Sequence, residues 1–101
     1  PVICAILVKG MAHITGGGLP ENLPRCIPKG LSVKLNYNSW HLPEIFQKIM
    51  LAGEIPEEEM INVFNLGIGY CIVTSPNNED NIHNIIEDFG FRSWTIGEVV
   101  L

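Results

Sequence analysis

The pattern of apolar and polar positions divides the chain into short strands and short helices. Apolar and polar side chains alternate over residues 31–35, which predicts a half-buried strand. Residues 9–15 alternate more loosely and also predict a strand, and the apolar run 70–74 predicts a central strand. A final strand is expected over residues 94–101. Residues 1–7 fit either the end of a helix or a short strand, because periodicity does not separate the two.

Four other segments predict helices. A short helical or turn segment covers residues 19–26, and longer helices are expected over 43–53, 56–64 and 76–90. The inner faces of these three longer helices are expected to consist of Ile45, Phe46, Ile49 and Met50, then Met60, Val63 and Phe64, then Ile82, Ile85, Ile86 and Phe89. Strands that alternate with helices predict an α+β domain, a layered α/β/α arrangement with helices on a mixed sheet.

Composition restricts the classes of function. The 101 residues suit a single domain, 1–101, and the start at Pro1 rather than Met suggests a truncated or processed chain. A net charge of −5 with six scattered basic residues argues against binding to nucleic acid or to an anionic membrane surface. The longest apolar run, 2–8, is far shorter than the roughly 20 residues that cross a bilayer. Three dispersed cysteines without a Cys-x-x-Cys motif predict reduced thiols in a cytoplasmic protein, not a zinc site.

The most informative local feature is Gly16-Gly17-Gly18, which follows a predicted strand. Glycine backbone reaches positive φ and lets another group approach closely, so successive amide N–H groups can converge on an anion. One interpretation is therefore a cradle for a phosphate or phosphoribosyl group. The other is a tight strand-to-helix turn that packs against another domain, and the glycines alone do not choose between them.

Four polar residues near the glycines are candidate ligand contacts. His13 can donate to or accept from a substrate, although a histidine on a strand is more often a structural hydrogen bonder. Thr15 could instead cap the turn. Asn22 and Arg25 are three residues apart and would share one face of a helix. Arg25 could bind a phosphate bidentately or form an ion pair with Glu21.

The run from His13 to Arg25, HITGGGLPENLPR, closely resembles the glycine-rich segment of the phosphoribosylformylglycinamidine cyclo-ligases, also called aminoimidazole ribonucleotide synthetases. The resemblance continues in the family's order through Ser39-Trp40 with Pro43, Glu59-Met60, Phe64-Asn65-x-Gly67-Ile68-Gly69 and Trp94 to Gly97. It spans nearly the entire chain from about Lys9 onward. Several motifs in one order are much more specific than any one of them.

This resemblance implies that the chain is most of the C-terminal domain of a two-domain enzyme whose N-terminal domain is absent. It also implies that the domain has a partly ferredoxin-like topology. The implied reaction is ATP-dependent closure of the imidazole ring of formylglycinamidine ribonucleotide, in a cytoplasmic homodimer. ATP and Mg²⁺ would be bound mainly by the missing domain, so the fragment is expected to be inactive alone. The expected substrate-binding residues are His13, Thr15, Gly16, Gly17, Gly18, Asn22 and Arg25, and no metal ligand is expected.

Two other hypotheses remain open at this point. The chain could belong to a related ATP-using enzyme of the same superfamily, such as selenophosphate synthetase or thiamine-monophosphate kinase. It could also be a free-standing, non-catalytic binding domain. The chain offers no nucleophile–base pair at a suggestive spacing, and the turn 65–69 is expected to be architectural. His41 and His83 are expected to be solvated surface residues.

Overall fold

A computed structural model describes residues 8–101, so the alternatives for the first seven residues lie outside the part described. The chain forms four strands, four α-helices and two short 3-10 helices within that range. In chain order they are β1 (Val8–His13), α1 (Gly18–Asn22), a 3-10 helix (Leu23–Cys26), β2 (Ser32–Leu35), α2 (Glu44–Ala52), α3 (Glu57–Val63), β3 (Tyr70–Thr74), a 3-10 helix (Pro76–Asn78), α4 (Glu79–Asp88) and β4 (Gly97–Val100). None of the helices in residues 8–101 is long and apolar enough to cross a membrane.

The strands pair in two separate antiparallel sheets. β1 pairs with β3, with His13 opposite Tyr70, and β2 pairs with β4, with Leu35 opposite Gly97. The predicted α+β class is confirmed, but within residues 8–101 the strands form these two pairs and not one mixed sheet. The expectation that 70–74 is a central strand also fails in this range, because β3 pairs only with β1. One face of β3 is open, and the side chain of Tyr70 is 53% exposed there.

The core lies where the inner face of the β1–β3 sheet meets the helices. Its buried members are Ala12, Ile14, Leu19, Leu23, Trp40, Met60, Leu66, Ile68 and Cys71. Full burial of an aliphatic side chain such as Leu19 stabilises the fold by about 1.5–3 kcal/mol. The indole N–H of Trp40 donates to the carbonyl of Leu66 at 3.1 Å, which fixes the loop before β3.

Helical periodicity predicted the middle of each helix better than its ends. Met60 and Ile82 are buried as expected, but Ile45 is 58% exposed, Val63 is 49% exposed and Phe89 is 74% exposed. Ile45 is the second residue of α2, Val63 is the last residue of α3, and Phe89 follows the last residue of α4. An apolar stripe is buried only as far as the surface beneath it extends, so these three expectations of burial were wrong. The final strand is also shorter than predicted, because residues 94–96 lie outside β4.

The expectation that His83 is a solvated surface residue is wrong. Its Nδ1 lies 2.5 Å from the hydroxyl of Ser93, and its Nε2 lies 3.0 Å from the hydroxyl of Thr95. Thr95 in turn donates to the carboxylate of Glu79. This network connects α4 to the segment before β4, because the two hydroxyl groups that meet the imidazole lie 10 and 12 residues further along the chain.

Candidate functional site

The glycine loop begins where β1 ends and is fixed at both sides. The N–H of Ile14 donates to the carbonyl of Gly69 at 2.9 Å, which extends the β1–β3 pairing one residue past His13. The N–H of Gly18 then donates to the carbonyl of Thr15 at 3.1 Å and closes a turn at which α1 starts. The strand therefore passes into the helix within three residues.

Two of the three glycines are required by the fold itself. Gly17 and Gly18 have φ values of 95° and 64°, in the left-handed region that side chains disfavour. A Cβ on Gly18 would lie 2.5 Å from the carbonyl oxygen of Ile61 and 2.7 Å from that of Phe64. These oxygens belong to the backbone at the end of α3, so they cannot move aside cheaply. Gly18 thus permits the close contact between α1 and α3.

Gly16 has a different environment. It is exposed, and a Cβ built on it would have no atom within 4 Å. Within residues 8–101, neither the N–H of Gly16 nor that of Gly17 donates a hydrogen bond. The two interpretations of the glycine run therefore apply to different residues: Gly18 serves the tight turn, whereas Gly16 leaves open space and free N–H groups that a ligand could approach.

Asn22 holds this loop in shape from inside. Its side chain is only 2% exposed. Its amide nitrogen lies 2.8 Å from the carbonyl of Gly18, 3.1 Å from that of Thr15 and 3.3 Å from that of Gly16. Its amide oxygen accepts a hydrogen bond from the hydroxyl of Thr15 at 3.0 Å. The polar groups of Asn22 are therefore directed at the loop and not at solvent.

Arg25 occupies the opposite environment. Its side chain is 67% exposed, and a guanidinium nitrogen lies 3.7 Å from a carboxylate oxygen of Glu21. Asn22 and Arg25 consequently do not share one face, since one is buried and the other is solvated. The ion pair that was the alternative for Arg25 is formed, but an exposed pair of this kind contributes at most about 1 kcal/mol. The guanidinium therefore remains available to a stronger anionic partner.

His13 lies exposed on the outer face of the β1–β3 sheet, two residues before Thr15. The ring of Tyr70 stacks beside it, with centroids 6.1 Å apart and an interplanar angle of 26°. Tyr70 was assigned only to a strand by sequence reasoning, because its proximity to His13 follows from the pairing of β1 with β3. The open part of the site thus contains His13, Tyr70, Thr15 and Gly16.

The titratable groups with displaced pKa values lie in the core, away from this open surface. Burial, with a smaller contribution from the charge of Cys26, raises the pKa of the Cys71 thiol to about 11. Burial also raises the pKa of Tyr37. Within residues 8–101, no cluster of three or more His, Cys, Asp or Glu side chains could hold a metal ion.

These features define an α+β domain that presents an open glycine and an exposed histidine at the end of a strand. The profile of the family described as "AIR synthase related protein, C-terminal domain" matches residues 1–100, so the chain belongs to that family. A Prochlorococcus marinus (strain MIT 9211) protein named phosphoribosylformylglycinamidine cyclo-ligase is 53% identical over 94 residues, which are 93% of this chain and 27% of that protein. A Synechococcus sp. (strain CC9605) protein of the same name is 48% identical over 92 residues, or 91% of this chain and 27% of that protein.

The chain thus spans about a quarter of the length of these relatives. The resemblance inferred from the motifs is confirmed by the family match and by the names of the relatives.

Proposed function

We propose that this chain, residues 1–101, is the larger part of the C-terminal domain of an ATP-dependent cyclo-ligase of purine biosynthesis. The enzyme would close the imidazole ring of formylglycinamidine ribonucleotide and yield aminoimidazole ribonucleotide. The observation that carries this proposal is the match over nearly the whole chain to proteins named phosphoribosylformylglycinamidine cyclo-ligase. The enzyme would act as a cytoplasmic homodimer, and ATP and Mg²⁺ would be bound mainly by its N-terminal domain.

The glycine loop would bind the ribonucleotide. The free N–H groups at Gly16 and Gly17 suit an anionic oxygen, and the exposed guanidinium of Arg25 would supply a positive charge nearby. Thr15 and His13 would contact the substrate from the end of β1. Gly18 and Asn22 would act indirectly, because the close contact of one and the buried hydrogen bonds of the other give the loop its shape.

Glu21 affects how an anion could bind there. A Cβ on Gly17 would meet the carboxylate group of Glu21, whose Cδ would lie 2.6 Å away, so this carboxylate group lies over the loop. A phosphate at the loop would repel it and would compete with it for Arg25. The side chain of Glu21 is 62% exposed and unbranched, so it can turn into solvent when an anion binds.

The proposed reaction needs positioned groups more than a protein nucleophile. ATP would transfer its γ-phosphoryl group to the formyl oxygen and leave as ADP. The amidine nitrogen would then attack the formyl carbon and the new C–N bond would close the ring. The C–O bond to the phosphorylated oxygen would break with release of phosphate, and one proton would be lost from nitrogen to give the neutral imidazole. Orientation of the reacting atoms and stabilisation of the developing charge can supply most of such a rate enhancement.

Replacement of Arg25 tests the role of the loop in the complete enzyme. A charged hydrogen bond contributes about 1.5–3 kcal/mol, so Arg25→Ala is expected to raise KM for the ribonucleotide by about tenfold or more. Lys48→Ala is the matched control, because Lys48 forms a similar exposed pair with Glu44, 3.6 Å apart and on α2. Unchanged KM and turnover in Arg25→Ala would remove Arg25 from the substrate site.

The chain alone provides a second test. Without the groups that hold ATP, residues 1–101 are expected to release no phosphate from ATP in the presence of formylglycinamidine ribonucleotide. Turnover by the purified chain would show that ATP does not depend on the N-terminal domain for binding, and the proposed placement of the ATP site would be wrong.

A further inference from the structure

We propose that Tyr70 is a positioning residue that holds the imidazole of His13 in the orientation in which it meets the substrate. This inference rests on the proposed function, because it assumes that His13 contacts the ribonucleotide. It adds a residue on β3 to a site that is otherwise formed by β1 and the loop after it.

The geometry places the two rings side by side on the open face of the sheet. His13 and Tyr70 are directly opposite each other in the β1–β3 register. Their rings stack with centroids 6.1 Å apart and planes 26° apart. The hydrogen bond from the N–H of Ile14 to the carbonyl of Gly69, 2.9 Å long, fixes this register at the end next to the glycine loop.

Tyr70 contributes little to the core, so its packing does not explain its position. Its side chain is 53% exposed, and the inward positions of β3 are supplied by neighbours such as the buried Cys71. Within residues 8–101, the hydroxyl of Tyr70 forms no hydrogen bond. What remains is the ring itself, whose face limits the orientations that the His13 side chain can adopt.

An exposed histidine without a neighbouring ring would exchange among several staggered rotamers. Stacking of aromatic rings is favourable beyond simple burial, by an amount that favours one rotamer about two- to tenfold over each alternative. Because a reaction that depends on orientation loses rate when a contact group is misplaced, this preference would be expressed in turnover. The ring of Tyr70, and not its hydroxyl, should therefore matter.

Kinetics of the complete enzyme test this coupling. Tyr70→Leu is expected to lower kcat by up to about threefold with a smaller change in KM, because loss of the preference leaves about one of three rotamers productive. Tyr70→Phe is expected to keep kcat near its original value. In a His13→Ala background, Tyr70→Leu is expected to have no further effect. Ile72→Ala is the matched control, because Ile72 is an exposed apolar residue on the same face of β3 but two cross-strand pairs away from His13. The inference would be overturned if Tyr70→Leu lowered kcat equally in the presence and absence of His13, or if Tyr70→Phe lowered kcat as much as Tyr70→Leu.

A spectroscopic measurement separates this inference from the proposed function. In the ¹³C,¹⁵N-histidine-labelled complete enzyme, Tyr70→Leu is expected to move the three-bond couplings that report the χ1 rotamer of His13 towards the averaged values of the exposed His41, while Tyr70→Phe leaves them in place. If His13→Ala does not change turnover, the proposed role of His13 fails, and the couplings then decide whether Tyr70 orients it. Couplings of His13 that Tyr70→Leu leaves unmoved would overturn the positioning role whatever the kinetics show.

Discussion

Asn22→Ala is expected to be among the most destabilising single changes near the site. The Asn22 side chain is 2% exposed and connects the loop to α1 through one accepted hydrogen bond and contacts from its amide nitrogen to three carbonyls. An amide nitrogen carries two protons, so these three contacts correspond to about two full donated bonds. The substitution therefore removes roughly three hydrogen bonds together.

The size of the decrease in stability depends on whether each hydrogen-bond partner of Asn22 is exposed or buried. Thr15 and Gly16 are exposed, so water can replace the bonds to their carbonyls and each costs well under about 1.5 kcal/mol. Gly18 is buried, so water cannot readily replace the amide nitrogen that lies 2.8 Å from its carbonyl, and the loss of this bond costs about 1–3 kcal/mol. The sum predicts a decrease of about 3 kcal/mol in the free energy of unfolding.

Urea unfolding of the chain, followed by tryptophan fluorescence, measures this quantity. Asn22→Asp preserves the shape but replaces the donor by an acceptor that faces the Gly18 carbonyl, so it should cost at least as much as Asn22→Ala. Asn84→Ala, at an exposed position within α4, is the control and should change stability by less than about 0.5 kcal/mol. If Asn22→Ala cost less than about 1 kcal/mol and Asn22→Asp cost no more, the inference that Asn22 supports the loop would be refuted.

Three further predictions concern structural and accessible groups. Gly18→Ala should lower the free energy of unfolding by about 3 kcal/mol or more, because its Cβ would clash with backbone oxygens at the end of α3. Gly16→Ala should leave the thermal midpoint nearly unchanged but weaken ribonucleotide binding. Equal thermal midpoints for the two variants would contradict this. At mildly alkaline pH, iodoacetamide should alkylate the half-buried Cys26 well before the buried Cys71, whose pKa is raised to about 11, as mass spectrometry of peptides can show. The raised pKa also means that Cys71 contributes stability that is complete below its usual pKa of 9.0 and is lost as pH rises through about 11, and a flat stability profile over that range would contradict it.

Local chemistry made most of the elements predictable. Pro43 and Pro56 stand immediately before α2 and α3, and neither helix could have begun much earlier, because proline lacks the N–H that a helix interior needs. Gly90, with a φ of 85°, follows the end of α4 in the left-handed conformation that often terminates helices. The exposure of Phe89 was not predictable in this way, because it depends on which surface lies beneath the helix.

The candidate site was predictable as a segment but not as an arrangement. The motif around Gly16 located the loop, since several matching motifs in one order are specific to a family. The same motif could not show that Asn22 is buried and Arg25 solvated, because the α-helix gives way to a 3-10 helix between them. Tyr70 was missed altogether, since its distance from His13 along the chain gives no indication that they pair.

The sequence by itself determined the family, the α+β class and the position of the glycine loop, because motifs, prolines and glycines act over a few residues. Only the tertiary structure decided what each glycine does. Gly18 must lack a side chain because α3 lies against it, and Gly16 is open because nothing does. The same holds for Tyr70, which meets His13 through the pairing of two strands. Contacts between distant segments depend on the whole packed chain, so no local pattern records them.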